Sequence, residues 1–252
     1  MNTMSTIDEL LTLSHEIGRE DRCLALLGEG NTSARESEDV YLVKASGTCL
    51  GTLREEDVVA CKMSLALSML DEDGLTDGQV DDALLAARVN TNAKKPSVEA
   101  VFHAWALSLP NVKFVGHSHP IAVNQILCSL RAREFAEHRM FPDEVVCDGV
   151  ASVFIPLTDP GLKLAQTIRR ETGAFVRKHQ RIPRVILMQN HGIITLGGTW
   201  QSVLAAMLMA EKAAKIFIGA AQLGGPIFLS EENIARIATR PDELYRQKVL
   251  NV

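Results

Sequence analysis

Two histidines separated by one residue, His117 and His119, stand near the middle of the chain. They end a β-prone segment, and alternate side chains of a strand lie on one face, roughly 7 Å apart at Cα. At that spacing both imidazoles can bind one divalent metal ion, with bonds near ~2.1 Å. A third histidine, His191, follows the apolar segment 185–188. The pattern predicts a site of three imidazoles, and the alternative is a partly buried strand whose histidine bonds to a backbone carbonyl.

A carboxylate, Glu99, precedes His117 by 18 residues. The sequence predicts that it lies in the first turn of a helix over 97–109, with Ser97 as the N-cap. A carboxylate there can simply complement the helix dipole, which contributes about 0.3–1 kcal/mol. Its alternative role is that of a base beside the metal or a fourth ligand. His103 is four residues further on the same helix face, so we expect it to pair with Glu99.

Two segments rich in glycine and hydroxyl side chains precede this carboxylate, Gly28–Ser33 and Lys44–Thr48. Loops of this kind present backbone N–H groups and hydroxyls to a phosphate or a carboxylate. The alternative is that both are ordinary tight turns, since Gly, Asn and Ser dominate turns.

The composition limits the class of protein. With 252 residues and 46% hydrophobic content, the chain can bury the core of one large domain or two small ones. Its net charge of −5 without long charge runs argues against general nucleic-acid binding. Five widely spaced cysteines without a C-x-x-C pair suit a reducing compartment. The N-terminus shows no signal-peptide pattern. We expect the apolar stretch at 203–223 to be a buried helix and not a membrane span. We therefore expect a cytoplasmic protein that binds neither nucleic acid nor membrane.

Helix-like and strand-like segments alternate along the chain. This favours a single α/β domain over 1–252 with a mostly antiparallel sheet, and a charged tail, 226–252, that can reach a neighbouring subunit. A capping box at Thr6–Glu9 predicts that the first helix runs to about Glu20. The other predicted elements are strands at 40–43, 58–63, 112–119, 151–155, 185–188 and 193–196, and helices at 97–109, 120–130, 162–178 and 199–222.

Five ordered motifs resemble the class II aldolase/adducin family, whose members include L-fuculose-phosphate aldolase and L-ribulose-5-phosphate 4-epimerase. The resemblance covers about 7–225 and implies a three-layer α/β/α fold around a mainly antiparallel sheet. It also implies a homotetramer with active sites between subunits and a small, anionic substrate. The motifs are Gly30-Asn31-Thr32-Ser33, Ala45-Ser46-Gly47-Thr48, Pro96-Ser97-Val98-Glu99, His117-Ser118-His119-Pro120 and Asn190-His191-Gly192.

The resemblance also implies roles for particular residues. His117, His119 and His191 become ligands of one divalent metal ion per subunit, most often zinc, with manganese, cobalt and iron as alternatives. Glu99 becomes the catalytic acid/base. The residues implied to bind the phosphate end of the substrate are Asn31, Ser46, Gly47 and Ser97. The implied activity is retro-aldol cleavage of a small ketose or sugar phosphate through a metal-stabilised enediolate, in carbohydrate metabolism.

The chain departs from the aldolase pattern at two places. Val98 stands where L-fuculose-phosphate aldolase has a second serine, and no tyrosine is present in 139–144, where that enzyme has its proton donor. Tyr245, reaching from a neighbouring subunit, is a candidate replacement. These departures favour, as a second hypothesis, a metal-dependent decarboxylase, epimerase or dehydratase of a hydroxy- or keto-acid. A non-catalytic, adducin-like assembly domain is the third hypothesis, and the retained histidines argue against it.

Overall fold

A computed structural model describes residues 4–250 and contains one seven-stranded sheet of order β3-β2-β1-β4-β7-β6-β5. Every neighbouring pair is antiparallel except β5 and β6, which are parallel. The predicted mainly antiparallel sheet is therefore confirmed. The strands are β1 (Asn31–Arg35), β2 (Val40–Lys44), β3 (Val58–Lys62), β4 (Phe114–Ser118), β5 (Val153–Ile155), β6 (Val185–Met188) and β7 (Gly192–Gly197).

Helices cover both faces of this sheet. One face packs against α2, α3, α4 and α8, and the other packs against α1, α5, α6 and α9. This arrangement confirms the three-layer α/β/α fold. The helices are α1 (Thr6–Ile17), α2 (Met63–Ser68), α3 (Asp77–Ala87), α4 (Ala100–Ser108), α5 (Ile121–Leu127), α6 (Ala132–Glu137), α7 (Pro142–Asp148), α8 (Leu162–His179), α9 (Trp200–Gln222), α10 (Glu231–Ile237) and α11 (Pro241–Leu250).

The central strand β4 is buried along its whole length because helices cover both of its faces. It pairs with β1 on one side and β7 on the other, so that His117 lies opposite Asn31 and Ile194. The register therefore brings the Gly30–Ser33 motif, the His117–Pro120 motif and the start of β7 to the same end of the sheet.

The predicted loop at Gly28–Ser33 is wrong in its second half, where Asn31 begins strand β1. Its polar side chains find buried partners: the Thr32 and Ser14 hydroxyls lie 2.6 Å apart, and Ser33 bonds to His103. Turn-forming residue types were misleading there because tertiary hydrogen bonds satisfy them inside the sheet.

The first helix also differs from its prediction. Ser5, not Thr6, is the N-cap and forms the capping box with Asp8, while α1 ends at Ile17, three residues before the predicted end. The sequence analysis assigned no helix to α2, α3, α6 or α7. Three of them, α2, α6 and α7, each have no more than two turns, which leaves little helical periodicity to detect.

The tail folds as α10 and α11, and the apolar stretch at 203–223 is largely α9, as expected. Within the described residues α11 packs on its own chain, since Gln247 Nε2 donates to the Val146 carbonyl at 2.9 Å. The described helices include none with the length and apolar character that crossing a membrane requires.

Candidate metal centre

Three imidazoles meet at one end of the sheet. His117 lies one residue before the end of β4, His119 follows that strand, and His191 immediately precedes β7. One ring nitrogen from each lies within 4.8 Å of the other two. The Nε2 atoms of His117 and His119 are 3.1 Å apart. The structure thus brings together the three histidines that the sequence analysis selected.

Gly192 lets the three rings approach each other so closely. A Cβ atom at this position would lie 2.5 Å from His119 Cδ2 and 2.5 Å from the Ser118 carbonyl oxygen. Asn124 Nδ2 donates to the backbone carbonyl of His191 at 3.0 Å and holds the turn that carries this ring. Tertiary packing, not the local sequence, positions the third imidazole.

The protonation of these rings suits metal binding. His117 Nδ1 donates to the Ile193 carbonyl at 2.9 Å, so Nε2 carries the free lone pair. Burial lowers the pKa of His117, and burial together with the neighbouring imidazoles lowers the pKa of His119 to about 4. Both rings are therefore neutral near pH 7, which is the form that coordinates a metal ion.

Glu99 faces two of the imidazoles. Its Oε1 lies 3.3 Å from His191 Nε2 and its Oε2 lies 3.5 Å from His117 Nε2. Burial by itself would raise the pKa of Glu99, but the two imidazoles and a 2.6 Å hydrogen bond from Asn31 Nδ2 outweigh it and lower the pKa. An ionised carboxylate in this position can serve as a fourth ligand or as a base. The donor set fits a divalent ion of the zinc type.

The predicted N-cap at Ser97 is wrong, because α4 begins at Ala100 and Glu99 occupies the N-cap position. The Ser97 hydroxyl instead accepts from the Glu99 N–H at 3.3 Å and from Asn31 Nδ2 at 3.3 Å. Its role is to connect the chain entering α4 to β1. Glu99 is thereby held from two sides.

The imidazole of His103 does not hydrogen-bond to the Glu99 carboxylate as expected; it bonds to the side chains of Asn31 and Ser33. Asn31 donates its amide N–H to Glu99, so its carbonyl oxygen must accept from His103 Nε2. His103 Nδ1 then carries the lone pair and accepts from the Ser33 hydroxyl at 2.6 Å. Burial lowers the pKa of His103 to about 3 and keeps the ring neutral. The hydrogen-bond directions are therefore defined from Ser33 to Glu99.

Ser46 and Gly47 lie in an exposed turn after β2, beside the segment that leads to Glu99. The Ser46 N–H donates to the Lys95 carbonyl at 2.9 Å, and Ala45 forms a β-bridge with Pro96. Gly47 has φ +78°, a backbone conformation that side chains other than glycine rarely adopt. The turn therefore lies near Ser97, although Ser46 and Gly47 do not contact Glu99 within the described chain.

Lys44, the last residue of β2, lies near Glu99 and His117, and the sequence analysis did not select it as a candidate. Only 3% of it is exposed, and no carboxylate of the described residues lies within ion-pairing distance. Burial lowers its pKa, while the charges of Cys49, Glu99 and Asp57 oppose that shift. A largely buried lysine without an ion pair is a candidate to bind an anionic group of a ligand. The sequence feature that could have identified Lys44 is its position two residues before Ser46.

The segment 139–144, where the resemblance implies a tyrosine, contributes side chains that hydrogen-bond to the backbone of the fold. Arg139 is buried and donates through Nε to the Gly149 carbonyl at 2.8 Å, and Glu144 accepts from the Met140 N–H at 2.7 Å. Tyr245 is 71% exposed on α11 and makes no contact with the imidazoles or Glu99 of the described chain. A tyrosine proton donor therefore has no place in this centre unless another subunit supplies it.

Comparison with known proteins identifies the family of the chain. Residues 8–218 match the family described as class II aldolase and adducin N-terminal domain. The chain belongs to this family. Among curated proteins it is similar to the uncharacterized oxidoreductase YuxG of Bacillus subtilis, 28% identical over 218 residues, which are 82% of this chain and 29% of YuxG. The chain thus spans less than a third of the length of that relative.

Two solved structures share the fold. The N-terminal class II aldolase domain of a Thermoplasma acidophilum protein has a TM-score of 0.70 and 30% identity, covering 86% of this chain and 96% of that domain. A structure titled L-fuculose 1-phosphate aldolase has a TM-score of 0.71 and 18% identity, covering 94% of this chain and 96% of the other. At this identity the second match shows the fold alone.

Proposed function

We propose that this protein is a divalent-metal-dependent carbon–carbon lyase that performs retro-aldol cleavage of a small ketose or sugar phosphate. The observation that carries the proposal is the cluster of three imidazoles with the ionised carboxylate of Glu99 at 3.3–3.5 Å from two of them. The similarity to a structure titled L-fuculose 1-phosphate aldolase supports it.

In this proposal His117, His119 and His191 hold the metal ion, one per subunit and most often Zn²⁺. When bound, a metal ion acts as a Lewis acid that stabilises the enediolate left by cleavage of the carbon–carbon bond. Glu99 moves the proton on or off the carbon, since it is ionised and fixed in place by Asn31. Lys44 and the Ser97 hydroxyl bind the anionic end of the substrate, with the Ser46–Gly47 turn closing over it.

A decarboxylase, epimerase or dehydratase of a hydroxy- or keto-acid is the second candidate function. The observation in its favour is Val98, which is 40% exposed next to Ser97 and offers no hydroxyl to a phosphate. Lys44 would bind a carboxylate as well as a phosphate. A non-catalytic assembly role is less well supported, because it leaves the buried Lys44 and the imidazole cluster without a purpose.

The first experiment measures the metal content per subunit of the wild type and of His119→Ala, both purified without added metal or chelator. We expect near one equivalent in wild type and almost none in the variant. Ketose phosphates and hydroxy acids are then screened with wild type and Glu99→Gln, and we expect turnover to fall by about 10²–10⁴-fold in the variant. Aldehyde release supports the lyase, whereas carbon dioxide without an aldehyde supports the decarboxylase. A wild type that binds no metal after incubation with divalent ions refutes both.

We also propose a cytoplasmic homotetramer with active sites at subunit contacts. Its support is the family membership, five free cysteines and exposed apolar side chains on one side of α9, at Leu208 and Ile216. Sedimentation equilibrium measures the subunit number directly, and a monomer at micromolar concentration contradicts the proposal.

A further inference from the structure

A cavity of about 650 Å³ lies at the end of the sheet opposite the metal centre. It opens between the turn before β4, the end of β7, the first turn of α9 and helix α11. Val112, which lines it, precedes His117 by five residues, or about 17 Å of extended chain. This cavity is therefore separate from the candidate metal centre.

All charged side chains that line this cavity are basic: Arg181, Arg184 and Lys248. None of the three forms an ion pair with another described residue. Arg184 Nη1 donates to the Val146 and Cys147 carbonyls at 2.9 and 3.3 Å, which fixes its guanidinium at the wall. Burial lowers the pKa of Arg184; the charges of Cys147 and Asp148 oppose this shift, and the charge of Arg181 adds to it because the two guanidinium groups repel each other.

Three basic side chains at a concave surface, none of them in an ion pair, indicate an anionic ligand, because such a ligand offsets their mutual repulsion. The first turn of α9 adds a favourable field, since Thr199 and Ser202 at its N-terminal end line the same cavity. Arginine is the side chain best suited to bidentate binding of phosphate or carboxylate.

The rest of the wall is mainly apolar and includes Val112, Val145, Phe175 and Leu196. An inorganic ion would leave these side chains in contact with water. The volume lies within the range of about 300–1,000 Å³ that is usual for small-molecule sites. The ligand therefore needs an apolar body as well as a charged group.

We propose that this cavity binds a small organic anion, in which a phosphate or carboxylate group contacts Arg181, Arg184 and Lys248 and an apolar portion packs against Val112 and Leu196. The proposal does not depend on the reaction at the metal centre. It assigns the chain a second binding site with a separate occupant.

The test is calorimetric titration of the full chain with phenyl phosphate, benzoate and inorganic phosphate. Phenyl phosphate and benzoate distinguish the two charged groups, and we expect at least one of them to bind at least ten-fold more tightly than inorganic phosphate. Arg181→Glu/Lys248→Glu changes two exposed residues that form no ion pair with another described residue, so it leaves packing intact. We expect it to weaken binding at least ten-fold.

Two control variants make the result specific. Arg177→Glu/Lys178→Glu carries the same charge change on exposed residues of α8 that do not line the cavity, and we expect a change below two-fold. Lys44→Met tests whether the signal comes from the metal centre, and it should leave this binding event unchanged. Three results overturn the proposal: no binding of either organic anion at millimolar concentration, equal loss in the α8 control, or loss in Lys44→Met alone. A change in subunit number in the cavity variant, without any anion binding, also overturns it and assigns this face to a contact between copies.

Discussion

Replacing the buried His103 with glutamine tests the hydrogen-bond directions deduced for the metal centre. His103 is fully buried between Asn31 and Ser33, and its ring is neutral in the folded chain. A glutamine at this position cannot be protonated, and its amide N–H can still donate to the Asn31 carbonyl. The substitution therefore removes a titration while it keeps the contact that orients Asn31 toward Glu99.

The magnitude follows from the pKa of His103, which burial lowers from 6.5 to about 3 in the fold. Between these values the unfolded chain binds a proton that the folded chain does not bind. Stability therefore falls as pH decreases from 6.5 toward 3, and it is regained as pH rises. From pH 7 to pH 5 this linkage removes about 2 kcal/mol from the free energy of unfolding.

The assay is urea unfolding at pH 7 and pH 5, with a chelator present so that metal binding does not contribute. We expect wild type to lose about 2 kcal/mol more than His103→Gln over this interval. His138→Gln, at an exposed position, is the matched control and should behave like wild type. If His103→Gln loses as much stability as wild type, the ring is not held neutral and the deduced tautomer is wrong.

Two further predictions concern the metal centre. Gly192→Ala places a methyl group 2.5 Å from His119 Cδ2, so we expect at least a ten-fold loss of metal affinity in a titration with the metal ion. The control Gly219→Ala, on α9, meets nothing within 4 Å, so it should keep the metal affinity and raise the free energy of unfolding by about 0.5–1 kcal/mol. Equal metal affinities of the two variants would contradict the packing argument. Lys44→Met should raise KM for an anionic substrate at least ten-fold with little change in kcat, and an unchanged KM would remove Lys44 from the substrate site.

The sequence by itself selected the residues that meet at the centre. His117 and His119 are two residues apart on a strand, so their shared face follows from backbone geometry, and His191 and Glu99 were selected as partners by residue type and by the order of the motifs. The alternation of helices and strands likewise predicted the α/β class, and the motifs implied the antiparallel sheet. The assignment of roles to these residues stays a prediction.

Tertiary structure decided how these residues are arranged in space and which side chains surround them. Asn31 looked like a turn residue, yet the register of β1 against β4 places it opposite His117 and turns its amide toward Glu99. Lys44 looked like part of a polar turn, yet packing buries it. A buried polar side chain of this kind finds its hydrogen-bond partner only when distant segments pack together, so its neighbours in the sequence do not predict that partner. The cavity beside Arg184 has the same origin, because its walls come from segments that are far apart in the chain.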